Sequence, residues 1–124
     1  MAQATVIADA SAIICLGWVD QLQVLPALFG RVVVPPAVAA EATYHGAALP
    51  DWVDVHPLGR PLDARVSAPH LGAGESEVLS LGIELRDAWL ILDDLAARDL
   101  ARELGLQMLG TAAVLVEAKR AGFV

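Results

Sequence analysis

Short apolar runs that favour strands alternate with helical segments along the chain, and this order constrains the fold more than any other feature. The clearest runs are Thr5–Ala8, Arg31–Val34, Trp89–Leu92 and Leu106–Leu109, and the alternation in Trp52–Val55 suggests an edge strand. Strands that alternate with helices indicate a parallel sheet covered by helices on both faces. We therefore predict an α/β protein, a three-layer α/β/α sandwich with a mainly parallel sheet of four or five strands.

Capping and turn residues set the limits of the predicted helices. Ser11 is expected to cap the first helix, which Gly17 ends, and Pro35-Pro36 suits the start of another. Residues 56–69 contain four Pro or Gly residues and form a predicted loop. The predicted helices are Ala12–Leu16, Gln21–Phe29, Ala37–His45, Glu75–Leu85, Leu95–Leu104 and Thr111–Ala121.

Length and composition bound the class of protein. A chain of 124 residues predicts one domain over residues 1–124, and 56% hydrophobic residues supply its core. The single cysteine, Cys15, excludes a disulfide framework and is expected to be a small core residue. The segment Met1–Ala4 lacks the charged start of a signal peptide, and no run suggests a membrane span. We expect a soluble, cytoplasmic protein.

The charge balance is acidic, with 8 Lys and Arg against 15 Asp and Glu and a net charge of −7. Such a chain repels polyanions at long range, which argues against a passive nucleic-acid binder but not against a metalloenzyme. Half of the basic residues fall in the last 27 positions and form either a phosphate-facing patch or a solvated helix face: Arg98, Arg102, Lys119 and Arg120.

Acidic residues follow two of the predicted strands. Asp9 comes directly after Thr5–Ala8, and Asp93 and Asp94 come directly after Trp89–Leu92. The carboxyl ends of parallel strands meet at one edge of a sheet, where ligands bind, so these carboxylates would converge and repel one another. A divalent cation is a simple way to hold them together. The pattern indicates a Mg²⁺- or Mn²⁺-dependent enzyme of phosphoryl chemistry.

Each acid also has an ordinary structural interpretation. Asp9 can cap a helix. Glu41 can occupy a solvated helix position, although its small apolar neighbours suggest a buried helix in which a carboxylate needs a partner. Glu75 and Glu77 suit the first turn of a helix, and about 200° of rotation between them prevents both from facing one metal ion. We expect Glu77 to point inward and Glu75 to serve as a cap or outer-shell residue.

The adjacent acids Asp93 and Asp94 leave a strand end on opposite faces. One of them is expected to reach the site while the other caps the helix from Leu95, and the local pattern leaves both assignments open. Thr111 lies at another junction between a strand and a helix, where it can cap the helix or bind a phosphate or water. The three histidines have no ligand spacing, which argues against zinc.

Four motifs in order resemble a PIN domain, and in particular the small prokaryotic proteins related to VapC-type toxins. The resemblance is carried by residues 7–11, 32–41, 74–77 and 92–98, and residues 110–120 fit the end of that group. It implies metal-dependent cleavage of RNA with Mg²⁺ or Mn²⁺. It also implies catalytic and metal-binding roles for Asp9, Glu41, Glu77 and Asp94, with Asp93 as the alternative fourth acid and Ser11, Glu75 and Thr111 in the pocket.

The resemblance also implies two partners, an RNA substrate and a cognate antitoxin protein, and we expect a homodimer as well. An apolar helical surface that includes Leu22, Val24, Leu25 and Leu28 is one candidate for pairing two copies, and core packing explains it equally well. The alternative function is a PIN-like protein-binding module with weak or no catalysis, which the acidic balance favours. A phosphorylated receiver domain fits less well, because its paired acids follow the first strand.

Overall fold

A computed structural model describes residues 4–67 and 70–124. Residues 1–3, part of the segment without signal-peptide features, and residues 68–69 of the predicted loop lie outside the described part. The strands are β1 (Thr5–Ala8), β2 (Arg31–Val34), β3 (Val53–Val55), β4 (Trp89–Ile91) and β5 (Gln107–Leu109). The helices are α1 (Ala10–Trp18), α2 (Val24–Leu28), α3 (Pro36–Tyr44), α4 (Ala73–Leu85), α5 (Leu95–Glu103) and α6 (Thr111–Arg120).

The five strands form one parallel sheet in the order β3-β2-β1-β4-β5. In the central strand, Ile7 pairs with Val33 of β2 on one side and with Leu90 of β4 on the other. After β1 the chain therefore adds β2 and β3 on one side of this strand, and it later adds β4 and β5 on the other side. In such a sheet the strand order reverses beside β1, and ligands bind in the crevice outside the carboxyl ends of the strands at that point.

The central strands are buried, which explains why they read as continuous apolar runs rather than alternating ones. Val6, Ile7, Val33, Leu90 and Ile91 have no exposed surface. Full burial of each such side chain contributes about 1.5–3 kcal/mol relative to an exposed one. The sheet is thus the rigid platform from which the loops at its carboxyl edge extend.

The structure confirms the predicted α/β/α architecture and parallel sheet, and it confirms β3 as an edge strand. Helix α2 is shorter than the predicted Gln21–Phe29 and begins at Val24. Pro26 explains the difference, because a residue without an N–H is tolerated in the first turn of a helix but not further along. The predicted loop also contains a 3₁₀ turn, Ala64–Val66, whose Val66 is fully buried.

One expectation about an individual side chain is wrong. Cys15 is exposed, because α1 turns Ile13 and Leu16 inward and leaves the position between them facing solvent. Of the two interpretations of the apolar residues in α2, core packing is the one found, since Val24 and Leu25 are fully buried and Leu28 nearly so. In the described part of the chain, no helix is long and apolar enough to cross a membrane.

Candidate active site

Asp9 occupies the centre of the carboxyl edge, between β1 and β4. Its backbone N–H donates to the carbonyl of Ile91 at 3.3 Å, and its Oδ1 accepts from the N–H of Ala12 at 2.9 Å. Asp9 is therefore the cap of α1, and the prediction of Ser11 as the cap is wrong. With only 4% of its surface exposed, Asp9 is one of the few buried polar residues in the described chain.

Asp93 lies next to Asp9 and is held by hydroxyl groups from two helices. The Ser11 hydroxyl lies 3.1 Å from Oδ2 of Asp9 and 3.2 Å from Oδ2 of Asp93, so it can donate to either carboxylate. Thr111 donates its backbone N–H to Oδ1 of Asp93 at 2.8 Å and its hydroxyl to Oδ2 at 2.6 Å. Thr111 is the first residue of α6 rather than its cap. The expected pocket residues Ser11 and Thr111 thus hold one carboxylate at the carboxyl edge.

Asp94 takes no part in the hydrogen bonds of this cluster among the described residues. Its Oδ2 accepts from the N–H of Ala97 at 2.9 Å and caps α5. The structure therefore reverses the preferred assignment, since Asp93 reaches Asp9 and Asp94 takes the capping position. Consecutive residues in extended backbone project to opposite sides, which is why only one of the two can enter the site.

A cavity of about 240 Å³ opens beside Asp9. Its acidic lining comes from three elements: Asp9 before α1, Glu41 on α3 and Glu75 on α4. Gly74 permits this arrangement, because a methyl group at that position would lie 3.3 Å from Oε2 of Glu41. The cavity is also lined by Ala10, Ser11, Ala37, Gly72, Ala73 and Gly74.

Glu75 is a cap and a pocket residue, as expected, whereas Glu77 does not take the inward position in the cavity that was expected of it. Glu75 lines the cavity while its Oε1 accepts from the N–H of Gly72 at 2.9 Å in a capping arrangement. Glu77 does not line the cavity, and its Oε1 accepts from the N–H of Ala37 at 2.9 Å. The 200° rotation along α4 explains the split. Glu77 joins α4 to the start of α3, the helix that carries Glu41.

Two contributions to the site were not predicted. One is the N–H of Ala37, whose need for an acceptor was visible in the sequence because Pro35 before the helix has no side chain that can cap it. The other is Gly74. Its close packing depends on how α3 and α4 cross, and the sequence contains no pattern that predicts this crossing.

Burial raises the pKa of Asp9 from 3.8 to about 6. Hydrogen bonds from Ala12, from Ser11 and from the backbone of Asp93 oppose this rise in the pKa of Asp9, and the neighbouring charge of Asp93 contributes to it. Within residues 4–67 and 70–124, no three His, Cys, Asp or Glu side chains stand close enough together to hold a metal ion as they are. The site is thus a strongly acidic cavity in which the buried carboxylate of Asp9 forms no salt bridge with any residue that the structure describes.

The raised pKa of Asp9 predicts a pH dependence of stability in the metal-free protein. Between pH 3.8 and about 6 the folded protein holds a proton on Asp9 that the unfolded chain has lost. Asp9 therefore lowers the free energy of unfolding by about 3 kcal/mol as the pH rises through this window. When the pH is raised from 4 to 7 in EDTA, the free energy of unfolding measured with urea should fall more for the wild type than for Asp9→Asn. The same dependence of the free energy of unfolding on pH in both proteins would contradict the raised pKa of Asp9.

The split between Glu75 and Glu77 predicts unequal effects of matched substitutions. Glutamine keeps an oxygen that accepts the same backbone hydrogen bond, so each variant removes charge while retaining the helix contact. Glu75→Gln should weaken Mn²⁺ binding about 10-fold or more, whereas Glu77→Gln should change it little. Isothermal titration with Mn²⁺ measures both. A larger loss for Glu77→Gln would restore the original assignment.

Comparison with known proteins agrees with this fold. The family model DUF3368, described as a PIN domain, matches residues 5–124. A solved structure, a PilT N-terminus domain protein from the hyperthermophilic archaeon Sulfolobus solfataricus P2, is similar with a TM-score of 0.72. The two chains are 22% identical over 92% of each, a level that shows the fold alone. A search of curated proteins gave no match.

A parallel sheet with acids at its carboxyl edge is the architecture of a PIN-like α/β protein. The family match is more specific: the chain belongs to the DUF3368 family of PIN domains. PIN domains are in general nucleases, they typically use divalent metal ions, and PIN nucleases in general bind RNA.

Proposed function

We propose that this protein is an endoribonuclease that hydrolyses RNA phosphodiester bonds with the help of Mg²⁺ or Mn²⁺. The observation that carries the proposal is the acidic cavity at the carboxyl edge of the sheet, where Asp9, Glu41 and Glu75 share one opening and Asp93 lies next to Asp9. Family membership supports the same reaction class.

The donor atoms of the site fit a hard divalent cation. Carboxylate oxygens are the ligands that Mg²⁺ and Mn²⁺ prefer, and no softer donor lines the cavity in the described chain. A buried carboxylate such as Asp9 is costly without a positive partner. We propose Asp9, Glu41, Glu75 and Asp93 as the residues that would hold the metal, in place of the set with Glu77 and Asp94. Bound there, the ion would polarise the phosphate and stabilise charge on the leaving oxygen.

The protein's own residues prepare this site by fixing its carboxylates. Ser11 and Thr111 orient Asp93, and the cap of α1 orients Asp9. Glu77 anchors α3, so that Glu41 faces the cavity from a fixed helix. Water would be the nucleophile in this reaction. No protein side chain has to form a covalent intermediate, and no Ser-His or Cys-His arrangement is needed.

The test is an assay of single-stranded RNA cleavage with Mn²⁺, and with EDTA as the control. The proposal predicts cleavage with Mn²⁺ that EDTA abolishes. Absence of cleavage over a panel of unrelated RNA sequences, by a protein that binds Mn²⁺, would contradict the ribonuclease function while leaving the metal site intact.

The second candidate function is a PIN-like module that binds a partner protein without cutting RNA. Two observations favour it: the net charge of −7, and the absence of a preformed three-acid cluster in the described residues. Metal titration separates the two functions, because a module without catalysis has no need for tight Mn²⁺ binding.

A toxin role and its partners belong to the same proposal. We propose that the protein binds a cognate antitoxin and forms a homodimer. We also propose that it is cytoplasmic and that residues 1–124 form a single domain. The aromatic side chains of Trp18 (78%) and Tyr44 (86%) are the most exposed large hydrophobic groups of the described residues and are available for a protein contact. Expression of the chain alone should slow bacterial growth, and Asp9→Asn should remove that effect.

A further inference from the structure

One cationic side chain, that of Arg98 on α5, lies beside the acids of the site. A methyl group built on Gly110 would lie 3.1 Å from Nη1 of Arg98 and 3.1 Å from Oδ1 of Asp93. Both atoms therefore lie close to the same point beside Gly110, and Nη1 of Arg98 and Oδ1 of Asp93 are within about 6 Å of each other. A side chain at position 110 would crowd both groups, so glycine favours their close approach.

Arg98 differs from four of the six other arginines of this acidic protein, and Arg60 and Arg86 likewise form no ion pair among the described residues. Four arginines are held in ion pairs with acids outside the site: Arg31 with Asp54, Arg65 with Asp63, Arg102 with Asp99 and Arg120 with Glu117. Over residues 4–67 and 70–124, Arg98 forms no such pair within 4.0 Å. It is also half-buried, whereas Arg102 one turn later is exposed. Of the C-terminal basic residues, Arg98 is the one placed at the carboxyl edge.

A purely structural role in neutralising Asp93 does not explain this position. Asp93 already accepts hydrogen bonds from Thr111 and Ser11. An arginine that served only as its counterion would approach a carboxylate oxygen to about 2.7–2.9 Å. The guanidinium of Arg98 instead lies near the carboxylate of Asp93 without donating a hydrogen bond to it.

We propose that Arg98 binds a phosphate oxygen of the RNA strand at the acidic cavity. This inference rests on the ribonuclease function proposed above. A guanidinium presents a planar fork of donors that matches two phosphate oxygens, which an ammonium group cannot do. The need for such a group is strong here, because a net charge of −7 repels the substrate and a local cation must offset that repulsion.

The test compares Arg98→Met, which retains the length of the side chain, with Arg98→Lys and with the wild type. Arg98→Met should lower kcat/KM for RNA cleavage about 100-fold, as does the loss of one preorganised donor in other enzymes. Arg98→Lys should recover only part of the loss. Mn²⁺ affinity should stay equal or increase, since a cation next to the site has been removed. Arg102→Met, on the same helix, is the matched control and should behave as the wild type.

Each outcome has a distinct meaning. Unchanged kcat/KM in Arg98→Met, with an active wild type, would overturn this inference and leave the ribonuclease function standing. Weakened Mn²⁺ binding together with a lower melting temperature would also overturn it, in favour of a structural role. If the wild type binds Mn²⁺ but cleaves no RNA, calorimetry with Mn²⁺ present compares the affinity of the wild type and of Arg98→Met for inorganic phosphate. A lower phosphate affinity of Arg98→Met supports the phosphate role, and an equal affinity refutes it. A wild type that binds no Mn²⁺ would overturn both proposals.

Discussion

Replacement of Asp9 by asparagine is expected to abolish RNA cleavage and leave the fold intact. Asparagine caps helices about as well as aspartate, so the bond to the N–H of Ala12 can be kept while the charge is lost. Loss of residues that merely support a metal ligand costs 10–100-fold, and loss of the central ligand should cost at least about 100-fold. Initial rates of cleavage of a single-stranded RNA at saturating Mn²⁺ measure this effect.

The stability of the same variant separates a functional role from a structural one. Without metal, Asp9→Asn should be as stable as the wild type or more stable at pH 7, because the variant no longer buries a charge near Asp93. The wild type should gain stability when Mn²⁺ is added, and the variant should gain little. A variant that unfolds at lower temperature and still cleaves RNA at the wild-type rate would show that Asp9 is only a cap.

Replacement of Asp93 and Asp94 by asparagine, one at a time, is expected to give opposite results. Asp93→Asn removes a charge from the pair of carboxylates that Ser11 links and should reduce cleavage at least about 100-fold. Asp94→Asn retains a capping oxygen for Ala97 and should leave cleavage and stability nearly unchanged. Asp94→Ala should lower the free energy of unfolding by about 1 kcal/mol with little effect on the rate.

The adjacent pair is informative because both variants change the same kind of residue at neighbouring positions. Steady-state kinetics and urea unfolding of the three variants provide the comparison. Severe loss of cleavage in Asp94→Asn with normal activity in Asp93→Asn would restore the original assignment and contradict the geometry described here.

The fold could be predicted because its signals are local and repeated. Runs such as Arg31–Val34 are short, β-branched and bounded by Gly30 and Pro35, and runs of this kind are typical of a sheet with both faces covered. The position of Asp9 at the end of the first strand followed from the same pattern. The strand order also agrees with the placement of this residue at the carboxyl edge.

The composition of the acidic site could be predicted only in part. Whether Glu75 or Glu77 faces the cavity depends on the rotation of α4 against α3, and the sequence does not specify this rotation. The choice between Asp93 and Asp94 depends on where β4 ends, one residue earlier than expected. In both cases the helix cap and the site compete for neighbouring acids, and tertiary packing decides between them.

The central claim is that acids from separate parts of the chain hold one divalent cation in a single cavity. The most direct measurement is the anomalous scattering of Mn²⁺ in crystals grown with the ion. We predict an anomalous peak in the cavity, with oxygen atoms of Asp9 and of at least two of Glu41, Glu75 and Asp93 at metal-ligand distance. Full Mn²⁺ loading of the crystal with no peak in this cavity, or a peak held by other residues, would contradict the claim.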